Sequence, residues 1–171
     1  MNLLTQYRER LHLKDALKDL NKKRKKGNFT GVRSVGVLLD ITDKNDWEYS
    51  LTYIRQLKQQ TQTMQVLAYE DTKECTEELP FDVFCKKDLD WLWRPREAIQ
   101  RQFKQQHFDL LINCSQTDCF PLEYLAVSAD ANYKIGALTE YPNNYDLMLD
   151  TKGLNKYLEQ VDFFIKKFSN T

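Results

Sequence analysis

The chain is poor in residues that bend or interrupt a backbone, with 5 glycines and 4 prolines among 171 residues. That scarcity excludes collagen-like and mucin-like sequences, whose compositions depend on those residues. Only two histidines are present, and none of the four cysteines forms a Cys-x-x-Cys pair. A structural zinc site usually shows two closely spaced ligand pairs. We therefore predict no metal site and no cofactor.

Long apolar runs are also missing. The longest, Val35–Leu39, has the length of a strand, well short of the roughly 20 residues that span a bilayer. The apolar residues at the amino terminus end too early for the core of a signal peptide. We therefore expect a cytoplasmic protein whose cysteines are reduced and mostly buried, namely Cys75, Cys85, Cys114 and Cys119.

Net charge is absent as well, because 25 basic residues balance 25 acidic ones. The balance hides an asymmetry: residues 1–33 hold ten basic and three acidic residues, which gives +7, and the remainder carries −7. With 42% hydrophobic and 12% aromatic residues, the chain has enough apolar side chains for one folded domain. The charge separation indicates an amino-terminal arm that binds either its own acidic body or an external polyanion.

The arm is predicted to be an amphipathic helix over residues 1–27, followed by an α/β domain over 28–171. Its apolar face is predicted from residues at near-helical spacing: Leu4, Tyr7, Leu11, Leu17 and Leu20. The helix ends in five consecutive cations: Lys22, Lys23, Arg24, Lys25 and Lys26. Such a run binds the phosphates of nucleic acid or an anionic membrane surface. Alternatively, it is a solvated helix end that faces the acidic body.

Short apolar segments predict strands, and segments with helical periodicity separate most of them. The predicted strands are Val32–Ile41, Thr63–Tyr69, Phe81–Cys85, Phe108–Cys114, Tyr133–Leu138 and Tyr145–Leu149. The helix after the first strand is predicted to begin with a capping box of Asn45 and Glu48. This alternation predicts a single three-layer, Rossmann-like α/β sandwich with a mainly parallel sheet and an extra basic amino-terminal helix.

A ligand rim is predicted at the carboxyl ends of the strands, because open parallel sheets bind ligands there. The polar residues that the sequence places at this edge are Asp40, Asp43, Asn113, Ser115 and Asp118. Strand-end residues of these types also cap helices, so the alternative is that they only cap helices and shape loops.

Motifs that bind phosphate or activate a nucleophile are absent. The turn after the first strand has no glycine, whereas a dinucleotide fingerprint needs three. No Gly-x-Ser-x-Gly elbow surrounds Ser115, and His107 lies at the opposite end of the same strand. Cys119 lies near the predicted start of a helix, where the dipole lowers a thiol pKa. It is the first thiol to test for reactivity, and burial is the alternative.

The middle of the chain resembles known families. The segments that carry the resemblance are Phe108–Asn113, Pro121–Ala126, Lys134–Gly136 and Tyr145–Asp150. With the final helix, they resemble an uncharacterised family of short bacterial α/β proteins over most of the chain. The first three segments also resemble the amino-terminal, acceptor-side domain of heptosyltransferase-like glycosyltransferases. Those enzymes bind the sugar nucleotide mainly through a second domain, so this resemblance implies the fold and no catalytic residue.

Together these patterns favour a non-catalytic binding or interaction module of Rossmann-like fold. One alternative is a small enzyme, or a sugar- or nucleotide-binding protein, that uses the strand-end rim. The other is an RNA- or ribosome-associated protein that uses the basic arm. The first alternative predicts that the rim residues converge on one pocket, and the second predicts salt-sensitive binding through Lys22–Lys26.

Overall fold

A computed structural model describes residues 3–21, 31–76 and 78–169. The elements are α1 (Leu3–Asn21), β1 (Ser34–Asp40), α2 (Trp47–Gln60), β2 (Thr63–Glu70), β3 (Asp82–Cys85), α3 (Glu97–Lys104), β4 (His107–Asn113), α4 (Phe120–Ser128), β5 (Asp130–Ala137), β6 (Leu147–Leu149) and α5 (Leu154–Ser169). Two short 3₁₀ helices, Lys44–Asp46 and Lys86–Asp88, precede α2 and follow β3. Each predicted strand and helix corresponds to one of these elements.

The six described strands form one parallel sheet in the order β3-β2-β1-β4-β5-β6. The interior residues of β1, from Val35 to Leu39, are all buried, which is why the strand reads as a continuous apolar run. The order is that of a doubly wound sheet, so the α/β prediction is confirmed and the structure is consistent with a Rossmann-like sandwich. The direction of winding reverses between β1 and β4.

Helices cover both faces of the sheet. On one face, α2 and α5 bury Leu57 and Val161 against Val37 of β1. On the other face, α3 and α4 bury Phe103 and Leu122 in a second cluster. Successive residues of a strand point to opposite faces of the sheet, so alternate residues pack into the two clusters. Within the described residues, no helix has the length and apolarity needed to cross a membrane.

The amino-terminal helix packs on the outer side of α4 and makes a layer of its own. Leu13 is fully buried in a small cluster with Phe120, Val127 and Tyr141. Helix α4 is consequently covered by the sheet on one side and by α1 on the other, and nearly all of its residues are buried. This position explains why α4 carries apolar residues both toward the sheet and toward α1.

The predicted apolar face of α1 is wrong at three of its positions. Leu4, Tyr7 and Leu11 are 75%, 65% and 42% exposed. The buried face contains Glu9 and Leu13, and Ala16 and the predicted Leu17 are partly buried against the same cluster. Glu9 adds a buried polar contact, because it accepts from the Tyr141 hydroxyl. The basic run Lys22–Lys26 lies outside the described residues.

The prediction of four reduced cysteines is wrong for two of them. Cys75 and Cys85 form a disulfide whose Cα atoms are 5.4 Å apart. They meet because the segment after β2 folds back along the end of β3, where the Lys86 amide donates to the Thr72 carbonyl at 3.0 Å. Within the described residues, the free cysteines are both buried, as predicted for Cys114 and Cys119.

Candidate functional site

A cavity of about 660 Å³ opens at the carboxyl ends of β1, β2 and β4. Its walls come from the residues that follow these strands, from the start of α4 and from parts of α1 and α5. This is the point at which the strand order reverses, where open α/β sheets bind ligands. The volume falls within the range of roughly 300–1,000 Å³ that is typical of small-molecule sites.

Acidic and aromatic side chains dominate the walls. The acidic ones are Glu9, Asp40, Asp43, Asp71 and Asp118. The aromatic ones are Tyr69, Trp93, Phe120 and Tyr141. Among the residues that the structure describes, no lysine or arginine lines the cavity. The described lining is therefore acidic, which favours cations over phosphate groups.

Two carboxylates from the segment after β1 are held by backbone amides. Asp40 Oδ1 accepts from the Thr42 amide at 3.1 Å, and Asp43 Oδ1 accepts from the Asn45 amide at 2.9 Å. Asp43 is the N-cap of the 3₁₀ helix that leads into α2, so the predicted capping box of Asn45 and Glu48 is wrong. Helical structure begins at Lys44, before the predicted cap, in a 3₁₀ turn that leads into α2.

A third carboxylate, Asp71, follows β2. Its Oδ1 accepts from the Tyr69 hydroxyl at 2.9 Å, and its amide donates to Thr42 Oγ1 at 3.0 Å. Lys86 Nζ lies 3.0 Å from the same Oδ1 and offsets part of its charge. Burial, followed by the bond to Asp71, raises the pKa of Tyr69, so the tyrosine stays neutral and donates its proton.

The far wall combines Asp118 with a residue of α1. Asp118 Oδ1 accepts from the Thr139 hydroxyl at 2.8 Å. The Tyr141 hydroxyl donates to Glu9 Oε2 at 2.6 Å, and both side chains are buried. Burial and this bond raise the pKa of Tyr141. Helix α1 thus contributes an acidic group to the cavity through Glu9.

Asn113 and Ser115 do not line the cavity with the other predicted rim residues. They are 1% and 3% exposed because both are used inside the fold. Asn113 Nδ2 donates to Glu123 Oε1 at 3.0 Å and to the Tyr145 hydroxyl at 2.8 Å. Ser115 Oγ donates to the Thr117 carbonyl at 2.9 Å and shapes the loop before α4. The rim interpretation therefore brings together three of its five residues.

The two free thiols lie in the cavity wall. Burial raises the pKa of Cys114 and also that of Cys119, although Cys119 is the N-cap of α4. The helix dipole is outweighed at Cys119 because burial disfavours the thiolate, and nearby Asp40 repels it. Neither thiol has the low pKa of an activated nucleophile.

Trp93 forms an aromatic wall from a loop that is held by hydrogen bonds. Asp90 holds this loop, because its Oδ1 accepts from the Leu92 amide at 2.9 Å and the Arg94 amide at 3.0 Å. Trp93 itself has φ of +63°, a conformation that bulky residues rarely adopt. Such strain persists where the surroundings impose it, often at binding sites. Its neighbour Trp91 is 80% exposed and does not line the cavity.

The cavity carboxylates do not converge on one point. In the described part of the chain, the one group of three potential metal ligands within 4.8 Å is Cys75, Cys85 and Asp88, where the two thiols are oxidised. A single ion needs several oxygen ligands around it. The spread of charges around the cavity walls suits a larger cationic molecule better than a bare metal ion.

The fold and this cavity define a doubly wound, single-sheet α/β protein. Residues 8–168 match the model of a family described as a family of unknown function (DUF6913), and the chain belongs to that family. This confirms the resemblance to an uncharacterised family. No curated protein and no solved structure matches the chain. The local resemblance to glycosyltransferases therefore contributes only to the expectation of the fold.

Proposed function

We propose that the protein is a non-catalytic module that binds a small organic cation, such as an amine or a quaternary ammonium ion, in this cavity. The observation that carries the proposal is the set of five carboxylates among aromatic walls, with no basic residue lining the cavity in the described chain. Aromatic faces attract cations, and carboxylates accept charge-assisted hydrogen bonds from amines. Each wall thus favours the same ligand charge.

The same walls argue against the nucleotide alternative. A phosphate at a strand-to-helix turn needs backbone amides that point at it. Here the Thr42 and Asn45 amides already donate to Asp40 and Asp43. A phosphate at this turn would meet two carboxylates instead of two donors, and like charges repel.

The contents of the cavity also favour binding over catalysis. Histidine is absent from the lining residues that the structure describes, and both lining thiols have raised pKa values. General base catalysis needs a group that titrates near the working pH. Asp40 and Asp43, which accept hydrogen bonds from their own loop, are suited to fixed electrostatic contacts.

Removing cavity charges is expected to weaken cation binding. Asp118→Asn should raise the dissociation constant of tetramethylammonium or 1,4-diaminobutane about fivefold, since it removes about 1 kcal/mol of charge attraction. Asp40→Asn keeps the acceptor for the Thr42 amide and should act similarly. Isothermal titration calorimetry at two salt concentrations measures both variants.

Trp93→Gly is expected to raise the same dissociation constant about tenfold through the lost cation–π contact. Glycine adopts the positive φ of this position without strain, so the loop can keep its shape.

Matched controls come from outside the cavity: Asp82→Asn for the charge and Trp91→Ala for the aromatic ring, both exposed. Neither should change the affinity. Equal binding of uncharged 1,4-butanediol, or a preference for a nucleoside diphosphate, would contradict the proposal.

A second candidate function is polyanion binding through Lys22–Lys26, and it rests on the five consecutive cations in the sequence. Neutral replacements at these positions should abolish the salt-dependent retention of the protein on immobilised RNA, because phosphate contacts release counterions. A control variant loses the same number of cations elsewhere: Lys58, Lys152, Lys156, Lys166 and Lys167. Unchanged retention of the first variant, or equal loss in both, would reject the basic run as the contact.

A further inference from the structure

The disulfide does not itself line the cavity, but it ties down a segment that does. Cys75 belongs to the segment that follows β2, and Cys85 is the last residue of β3. Their bond fastens this segment to the 3₁₀ helix Lys86–Asp88. The segment begins with Asp71, which lines the cavity.

Several contacts connect the disulfide to Asp71. The Lys86 amide donates to the Thr72 carbonyl at 3.0 Å, and Lys86 Nζ pairs with Asp71 at 3.0 Å. Next to Cys75, the Thr76 amide donates to Glu70 Oε2 at 2.8 Å. The disulfide therefore closes a ring of contacts whose other side is the cavity wall. Opening it removes the covalent member of that ring.

The residues around the disulfide also offer a hydrogen-bond acceptor to the two thiols that reduction would form. Asp88 Oδ2 lies 3.3 Å from Cys75 Sγ and 3.7 Å from Cys85 Sγ, and it accepts from the Cys85 amide at 3.0 Å. After reduction, each thiol thus has a carboxylate acceptor within reach. Cys85 is fully buried and Cys75 is half-buried, so an external thiol reaches Cys75 first.

We propose that Cys75 and Cys85 form a reversible dithiol–disulfide switch that fixes the position of Asp71 in the cavity wall. A thiolate of a dithiol reductant attacks Cys75 Sγ, the Cys75–Cys85 bond breaks, and Cys85 leaves and takes up a proton. The second thiol of the reductant then attacks the mixed disulfide, releases Cys75 as a thiol and closes the reductant's own disulfide. Two electrons and two protons pass from the reductant to the protein. Exchange with a small-molecule disulfide runs the same steps in reverse and returns the two electrons and two protons.

In the cytoplasm predicted from the sequence, the cellular thiol pool acts as reductant, and a disulfide there is typically regulatory. The consequence for ligand affinity rests on the proposed function, because it assumes that the cavity binds a cation. The change in the segment that carries Asp71 does not rest on it.

Amide hydrogen exchange of the full chain, with and without dithiothreitol, tests the switch directly. Reduction should speed the exchange of the Thr76 and Lys86 amides about tenfold or more, because their segment is no longer tied covalently to β3. Amides of β4 should not change. Cys75→Ala/Cys85→Ala should show the fast exchange without dithiothreitol and no response to it. Unchanged exchange at Thr76 and Lys86 in the reduced protein would overturn the switch.

The affinity for tetramethylammonium in the two redox states tests the link to the cavity. Reduction should raise its dissociation constant several-fold, and Cys75→Ala/Cys85→Ala should bind with the weaker affinity whether or not dithiothreitol is present. Equal affinity in both states would overturn the link to Asp71. Failure of the cation to bind in either state would overturn the proposed function, and the exchange measurement would then decide the switch alone.

Discussion

Lys134→Met is expected to lower the free energy of unfolding by about 3–5 kcal/mol, because it removes three hydrogen bonds from a buried charged donor. Lys134 lies on β5 and is 1% exposed. Its Nζ donates to the carbonyls of Ala126 at 2.7 Å and Val127 at 3.1 Å, and to Asn144 Oδ1 at 3.2 Å. Carbonyls in the last turn of a helix lack partners within the helix. The ammonium group therefore caps α4 and complements its dipole.

Denaturant unfolding followed by circular dichroism measures this loss. Methionine keeps the length and apolar stem of the lysine, so the comparison isolates the ammonium group. Lys156→Met, on the exposed side of α5, is the matched control and should change stability by less than about 0.5 kcal/mol. A loss below about 1 kcal/mol for Lys134→Met would show that water replaces the lysine as the cap.

The positions of the strands in the sequence were predictable, because each strand is marked by its own local composition. The apolar run in β1 and the alternation around Phe81–Cys85 identify strands without any knowledge of their neighbours. The strand-end rule likewise identified Asp40, Asp43 and Asp118 as cavity residues, since it needs only the position at which each strand ends. The same rule applied to β2 would have identified Asp71.

Other parts of the site depend on contacts between distant segments. Glu9 reaches the cavity because α1 packs on α4 and the carboxylate accepts from Tyr141. Nothing in the periodicity of α1 distinguishes Glu9 from its other acidic residues. Trp93 reaches the cavity through a positive φ that Asp90 and its hydrogen bonds impose, and sequence spacing does not encode that turn.

The polar residues after β4 show why strand-end position alone is ambiguous. Asn113 and Asp118 both follow β4 or end it, as the rule requires. Asn113 nevertheless points into the interior, where its side-chain amide donates hydrogen bonds to Glu123 and Tyr145. Asn113 turns inward because the buried carboxyl of Glu123 needs hydrogen-bond partners. That requirement becomes visible only when α4 and the segment that carries Tyr145 are placed against the end of β4.

The protein is expected to lose stability as pH rises from about 4.5 to about 7 because of Glu123. Burial, with a smaller contribution from Asp118, raises the pKa of Glu123 to about 7, although the hydrogen bond from Tyr145 opposes this. Between these pH values the folded state retains a proton that the unfolded state has lost. At about 1.4 kcal/mol per pH unit, the loss amounts to about 3 kcal/mol across that range.

Glu123→Gln should remove this dependence, because glutamine keeps the acceptor for Asn113 and does not titrate. Unfolding free energies of the parent and the variant, measured from pH 4 to pH 8, should diverge by about 3 kcal/mol in favour of the variant at the upper end. Asp82→Asn, which changes an exposed carboxyl, should follow the parent. Parallel curves for the parent and Glu123→Gln would mean that Glu123 ionises as easily when folded as when unfolded.

The Glu123 titration also reports on the cavity, because Asp118 both lines the cavity and raises the pKa of Glu123. A cation bound beside Asp118 offsets its charge and should therefore lower the pKa of Glu123. Carboxyl ¹³C chemical shifts recorded with and without tetramethylammonium measure this change. In Asp118→Asn the pKa of Glu123 should start lower and respond less to the cation. A response of equal size in parent and variant would place the bound cation away from Asp118.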